Sequence, residues 1–218
     1  FNDIYALIVR QGIFDEYKLQ NTASPALPLA REEAIKAVVN SLRDDDIVVS
    51  TTGMISRELY EYRDAKQQGH ANDFLTVGSM GHASQIALSI ALQRPNRRIV
   101  IFDGDGAAIM HMGGMAIIGD YCPNNIIHII FNNGAHDSVG GQPTVGLKID
   151  LPAVAKAVGY KATVSVDNKA ALVAALKNLA DGPVLVEVKV KKGNRKDLGR
   201  PTTTPIQNKE ALMKFLES

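Results

Sequence analysis

The 218-residue sequence contains a single cysteine, Cys122, so no internal disulfide can form and a packed, reduced thiol is expected. Tryptophan is absent, and nothing is read from that. Net charge is almost absent too. The 24 Lys and Arg residues against 23 Asp and Glu leave +1, which gives no global pull toward nucleic acid or a membrane surface. No apolar run approaches the length of a membrane-spanning helix, and no secretory signal pattern opens the chain. A cytoplasmic protein is the default expectation. Internal repeats and low-complexity segments are also missing. The first residue is Phe1 rather than Met, so the chain reads as a processed product or part of a longer polypeptide.

The hydrophobic fraction, 45%, is enough for one domain with a sizeable core. Residues 1–24 hold a short apolar run, Tyr5 to Val9, and then a polar stretch leading to Pro25 and Pro28. This reads as a lone strand and a linker, the tail of a preceding domain. From residue 25 to 218 the pattern changes to one domain. Residues 29–42 form an amphipathic helix, with Ile35, Val38, Val39 and Leu42 on one face and Arg31, Glu32, Glu33 and Lys36 opposite. Strands are expected at residues 47–50, 74–77, 99–102, 126–131, 163–166 and 184–190. Helices lie between them, including one capped by Ser56, and a last short one spans residues 209–216. Strand and helix in alternation predict an α/β fold, an open parallel sheet of about six strands with helices on both faces.

Four of these strands end in polar turns: Thr52-Gly53, Gly78-Ser79-Met80-Gly81, Gly104-Asp105-Gly106 and Asn132-Asn133-Gly134. In an open parallel sheet such turns share one rim, where ligands bind. Asp105 and Asn133 are 133 − 105 = 28 residues apart in sequence yet belong close in space. One carboxylate, amide oxygens and room for phosphate suit a magnesium ion that leans on its ligand's phosphates. The N–H groups of Gly106 and Ala107 open a helix and favour an anion there. Either turn alone is an ordinary one; the pair at this spacing, each closing a strand, is not.

Gly-Asp-Gly, a spacer of this length and Asn-Asn at a strand end resemble the diphosphate-binding signature of thiamine diphosphate enzymes. The resemblance implies thiamine diphosphate and Mg²⁺ as cofactors, with Asp105, Asn133 and the carbonyl of Ala135 on the metal. It places Thr52, Gly53, Gly104, Gly106 and Ala107 against the diphosphate. Gly78 and Met80 resemble the aminopyrimidine turn, the first offering its carbonyl and the second wedging the cofactor into a bent form. Where many relatives carry hydroxyl residues, this sequence has Met54 and Ala107, so Thr52, Ser56 or backbone must substitute.

A narrower similarity, over residues 23–218, is to the phosphonopyruvate decarboxylases, and less closely to sulfopyruvate decarboxylase β subunits. It rests on residues 73–82, on Gly134-Ala135-His136-Asp137-Ser138 with Gly140-Gly141-Gln142-Pro143-Thr144, and on residues 199–205. It implies a carboxy-lyase acting on a small anionic 2-oxo acid, a homo-oligomeric assembly, and no nucleic acid or membrane partner. His136, and beside it His82, are the candidates to hold the substrate's anion or shuttle a proton. His128, inside an apolar strand, reads as a satisfied interior histidine. The basic tail, Lys191 to Arg200, reads as a solvated surface that could face a phosphonate. In the family, the activating glutamate sits in a separate pyrimidine-binding domain. No glutamate here takes that place, so the chain reads as the diphosphate-binding half, needing a pyrimidine-binding domain or subunit. The competing reading is a non-catalytic phosphate- or nucleotide-binding α/β module with a similar rim.

Overall fold

Runs such as Ile99 to Phe102 are apolar at every position rather than at alternate ones, which is what a parallel strand covered on both faces requires. The computed structural model describes residues 4–10, 12–15 and 25–217. Its strands are β1 (Ile47–Ser50), β2 (Asp73–Leu75), β3 (Ile99–Gly104), β4 (Ile126–Asn132), β5 (Ala135–His136), β6 (Gln142–Pro143), β7 (Ala162–Val166) and β8 (Val184–Lys189). Six of them form one parallel sheet in the order β2-β1-β3-β4-β8-β7. The other two, β5 and β6, make a small antiparallel hairpin that the sequence pattern did not lead us to expect.

The helices are α1 (Arg31–Val39), α2 (Met54–Ala65), α3 (Ala83–Gln93), α4 (Asp105–Met110), α5 (Gly113–Tyr121), α6 (Leu151–Ala157), α7 (Lys169–Lys177) and α8 (Pro205–Glu217). Odd and even strand positions separate into two cores. Val48, Val100, Phe102, Ile129 and Val186 pack against α1, α2 and α7. Ile47, Val49, Ile101, Ile130 and Leu185 pack against α3, α5, α6 and α8. Each fully buried Ile, Val or Leu contributes roughly 1.5–3 kcal/mol, so both layers are firmly attached. The expected six-stranded sheet with helices on both faces is therefore what the chain forms.

Several local expectations differ from the structure. Tyr5 to Val9 form no strand, and most of the linker read at residues 11–24 lies outside the described residues. Ser56 does not cap α2. That role falls to Gly53, whose φ of +105° turns the chain from strand to helix, and the Ser56 hydroxyl donates inward to Thr51 O at 2.6 Å. Helix α8 begins at Pro205, four residues before the expected start. Proline suits a first helical position, because its missing N–H would have no partner there. Thr204 caps the helix: its hydroxyl accepts from Gln207 N at 3.2 Å. Asn208 then accepts from Leu75 N at 2.9 Å and donates to Asp73 O at 2.8 Å, so a side chain covers part of the β2 edge.

Candidate functional site

Strand β1 pairs with β2 on one side and β3 on the other. Strand order therefore reverses at β1, and the gap beyond the carboxyl ends of β1 and β3 is where open α/β sheets bind ligands. A cleft of about 240 Å³ lies there. Thr52, Gly53, Met80, Gly104, Asp105, Gly106, Ala107, Asn133, Ala135 and His136, all candidates from the sequence, line it. Gly78 and His82 do not. Gly78 is exposed, and its carbonyl accepts from Met80 N at 2.9 Å. His82 turns away to pack its ring against His111, 4.4 Å between centroids.

Asp105 opens α4 and is buried. Burial pushes its carboxyl pKa up, against the Thr144 hydroxyl and the Asn133 backbone N–H, which both favour the carboxylate. Thr144 donates to Oδ2. A carboxylate that is buried and hydrogen-bonded, with no Lys or Arg against it, suits a cation arriving from the cleft.

The two adjacent asparagines differ in kind. The Asn132 side chain is consumed by the scaffold, donating to Gly146 O at 2.8 Å and Glu187 Oε1 at 2.7 Å and accepting from Gly134 N at 3.2 Å. Asn133 lies on the cleft wall. Its Oδ1 accepts from Ala135 N at 3.1 Å, and its Nδ2 donates to Asp137 Oδ2 at 2.6 Å.

Asp137 leads to a residue that the helical pattern had placed on the solvent face. Arg31 is only 4% exposed and lines the cleft. Its Nε and Nη2 grip both oxygens of Glu58 at 2.9 and 3.0 Å, and its Nη1 reaches Asp137 at 2.9 Å. Burial works against the guanidinium's charge, but the two carboxylates outweigh it and raise its pKa. Glu58 moves up as well, through burial that Arg31 only partly offsets. The signal was available: residues 31, 35, 38 and 42 follow the spacing of one helix face, so Arg31 shares the side of Ile35.

His136 sets the Nδ1–Cε1 edge of its ring against the first turn of α4. A Cβ on Gly106 would stand 2.5 Å from its Cε1, so glycine is required there. Ser138, two residues on, abuts Gly53 in the same way. His128 is the interior residue expected, bonded at Nδ1 to the Tyr160 hydroxyl at 3.0 Å and facing Asp103 at 3.4 Å.

The residues present fit a diphosphate and a hard metal ion. Thr51, 2% exposed on the cleft wall, has a hydroxyl without any partner among the described residues. A buried hydroxyl is seldom left unpaired, and a phosphate oxygen would satisfy it. Among the described residues no cluster of three His, Cys, Asp or Glu side chains could hold a metal alone. The donor set is instead one carboxylate, one amide and one carbonyl, which suits an ion that completes its shell with phosphate and water. No helix among them is long and apolar enough to cross a membrane.

Comparison with known proteins agrees with this geometry. Residues 51–188 match the family model described as thiamine pyrophosphate enzyme, C-terminal TPP binding domain. A phosphonopyruvate decarboxylase of Streptomyces viridochromogenes is 39% identical over 93% of this chain and 54% of its own length. Sulfopyruvate decarboxylase subunit beta of Methanothermobacter thermautotrophicus is 37% identical over 76% of this chain and 84% of its own. A solved structure of a candidate thiamin diphosphate-dependent enzyme from Mycobacterium smegmatis superposes with a TM-score of 0.61. It is 22% identical and covers 76% of this chain and 32% of that one, which speaks to the fold alone. The chain spans about half the length of the phosphonopyruvate decarboxylases it matches. With a matching family model and a β subunit matched over most of its length, the chain belongs to the thiamine pyrophosphate enzymes, as their C-terminal TPP-binding domain.

Proposed function

We propose that this chain is the diphosphate- and magnesium-binding half of a 2-oxo acid decarboxylase whose substrate is phosphonopyruvate, with sulfopyruvate as the alternative. The observation that carries this reading is the meeting of Asp105, Asn133 and Ala135 on one cleft at the switch point, which Thr51, its hydroxyl unpartnered among the described residues, also lines. In it, Asp105, Asn133 Oδ1 and the Ala135 carbonyl hold Mg²⁺. Thr51, Thr52, Gly53 and the first N–H groups of α4 receive the diphosphate. Met80 supports the rings from the cleft wall, and the exposed Gly78 carbonyl offers an acceptor. His82, packed on His111, is given no part.

Bound thiamine diphosphate supplies an electron sink for loss of carbon dioxide from a 2-oxo acid. The protein's share is to bind, orient and exclude water. His136 stands at the metal turn and is the residue placed to meet the substrate. The negative charge of Asp137 is partly offset by Arg31, which Glu58 shares.

Among the described residues no glutamate lines the cleft. Glu58 is held by Arg31, Glu187 by Asn132 and Ser165, and Glu61 by Arg195 and the Gly199 N–H. The glutamate that activates the cofactor therefore comes from a pyrimidine-binding domain or subunit, in keeping with the half-length match to the decarboxylases. Decarboxylation by this chain with and without a pyrimidine-binding half tests the reading. The chain alone is expected to be silent and the pair active. Full turnover by the chain alone, free of contaminants, would overturn it.

A further inference from the structure

A second cleft, of about 320 Å³, adjoins the first and shares Thr52, Gly53 and Ser138 with it. Its outer wall is the segment from Arg200 to Pro205 that leads into α8. Two arginines face it, Arg57 from the first turns of α2 and Arg200 from the tail. Arg31, Arg63, Arg98 and Arg195 each meet a carboxylate, whereas Arg94 bonds backbone carbonyls and Arg97 lies over the Phe215 ring. Neither Arg57 nor Arg200 has a side-chain hydrogen bond or ion pair among the described residues, and no Asp or Glu lines the cleft. Two positive ends of helices add to this, since Gly53, the cap of α2, and Pro205, the first residue of α8, are both on the cleft wall. Thr203 also lines it, and its hydroxyl has no hydrogen bond among the described residues.

We infer that this cleft is a binding subsite for a tetrahedral oxyanion, a phosphonate, phosphate or sulfonate, held by Arg57 and Arg200. Two planar forks of donors match the edges of such a group, and hydroxyl donors complete its shell. A carboxylate, planar and with two acceptor oxygens rather than three, fits less well. The anion has two possible sources, the head group of the substrate reaching past Ser138 from the first cleft, or free inorganic phosphate. Only the first source rests on the decarboxylase reading above.

Methylphosphonate, inorganic phosphate and acetate are titrated into the assembled protein with the diphosphate cleft filled by thiamine diphosphate and Mg²⁺. Binding is read by calorimetry for the parent, Arg57→Gln, Arg200→Gln and the double variant. Both arginines are partly or fully exposed and unpaired, so the variants keep the fold, which circular dichroism verifies. Methylphosphonate is expected to bind more tightly than acetate. Its affinity should drop about three- to fivefold in each single variant and about tenfold in the double, a loss suited to solvent-screened pairs. Thiamine diphosphate affinity, measured on the same samples, should stay within about twofold of the parent; it reports on the decarboxylase reading separately. Unchanged methylphosphonate affinity in the double variant would overturn the inference. So would binding that vanishes once thiamine diphosphate is present, because the anion would then have occupied the diphosphate cradle. Kinetics identifies the source. A raised KM for phosphonopyruvate with an unchanged KM for pyruvate assigns the site to the substrate. Phosphate binding that needs both arginines but does not compete with phosphonopyruvate assigns it to free phosphate.

Discussion

Replacing Asp137 by alanine should cost both stability and metal affinity, in amounts the geometry sets. One oxygen of Asp137 accepts from Arg31 Nη1 at 2.9 Å, Asn133 Nδ2 at 2.6 Å and Gly193 N at 2.9 Å. A hydrogen bond to a charged acceptor is worth about 1.5–3 kcal/mol. Arg31 would keep both bonds to Glu58, and Gly193 is exposed and can take water. The lasting loss is the Asn133 amide, so a total of about 2–4 kcal/mol is expected, below the sum of three bonds. At about 2–4 °C per kcal/mol for a chain of this size, thermal unfolding should show it clearly. An Asn133 amide free to rotate would no longer hold Oδ1 toward the metal position, and supporting contacts of this kind are worth about 10- to 100-fold in metal affinity. Asp137→Asn separates charge from geometry. It keeps an acceptor oxygen and removes the like charge that helps to raise the Glu58 pKa, so its cost should stay under about 1 kcal/mol. Melting by circular dichroism and calorimetry of thiamine diphosphate at graded Mg²⁺ measure the two effects. Asp137→Ala with parental melting and parental Mg²⁺ dependence would refute the reasoning.

Gly106→Ala places a methyl group 2.5 Å from the His136 ring and should destabilise by about 1–3 kcal/mol, measured by melting. The double variant with His136→Ala should recover most of that loss, since the two residues share one contact. His136→Ala alone should lose more kcat/KM on phosphonopyruvate than on pyruvate, whereas His82→Ala should alter neither ratio. Equal losses on both substrates for His136→Ala would remove its role in reading the anion.

The sheet was legible because its strands are covered on both faces, so Ile47 to Val49 and Ile99 to Phe102 read as unbroken apolar runs, and Ile126 to Phe131 and Val184 to Val188 as runs broken only by His128 and Glu187. The rim was legible because a parallel sheet collects its turns on one edge, and ten of the twelve named site residues line the cleft there. What escaped depends on contacts distant in sequence. Arg31 shares a helix face with Ile35, but its burial is compensated by Glu58 and Asp137, 27 and 106 residues away. No local pattern announces such partners. The same holds for Thr144, which closes onto Asp105 across 39 residues, and for Gly193, whose N–H ties the tail to Asp137. Asn132 and Asn133 look equivalent in sequence and part only when alternate strand positions are assigned to opposite faces. His82 follows a site turn yet points elsewhere, since a residue beyond the turn need not share its direction. The lysines of the tail and Arg200 are exposed, as read, but its backbone and the segment after it are tied to the domain. Lys191 N donates to Leu29 O at 2.8 Å, and the Tyr60 hydroxyl meets Thr202 at 2.8 Å.

The central claim is that Asp105 anchors the metal that fixes thiamine diphosphate in this cleft. Calorimetric titration of thiamine diphosphate into the parent and Asp105→Ala proteins, each with Mg²⁺ and with a chelator, tests it most directly. The parent should bind in Mg²⁺ and lose that binding in the chelator. Asp105→Ala should bind at least about 100-fold more weakly in Mg²⁺ and be indifferent to the chelator, because a methyl group cannot replace the one carboxylate in the donor set. Parental affinity in Asp105→Ala, with the same Mg²⁺ dependence, would contradict the account.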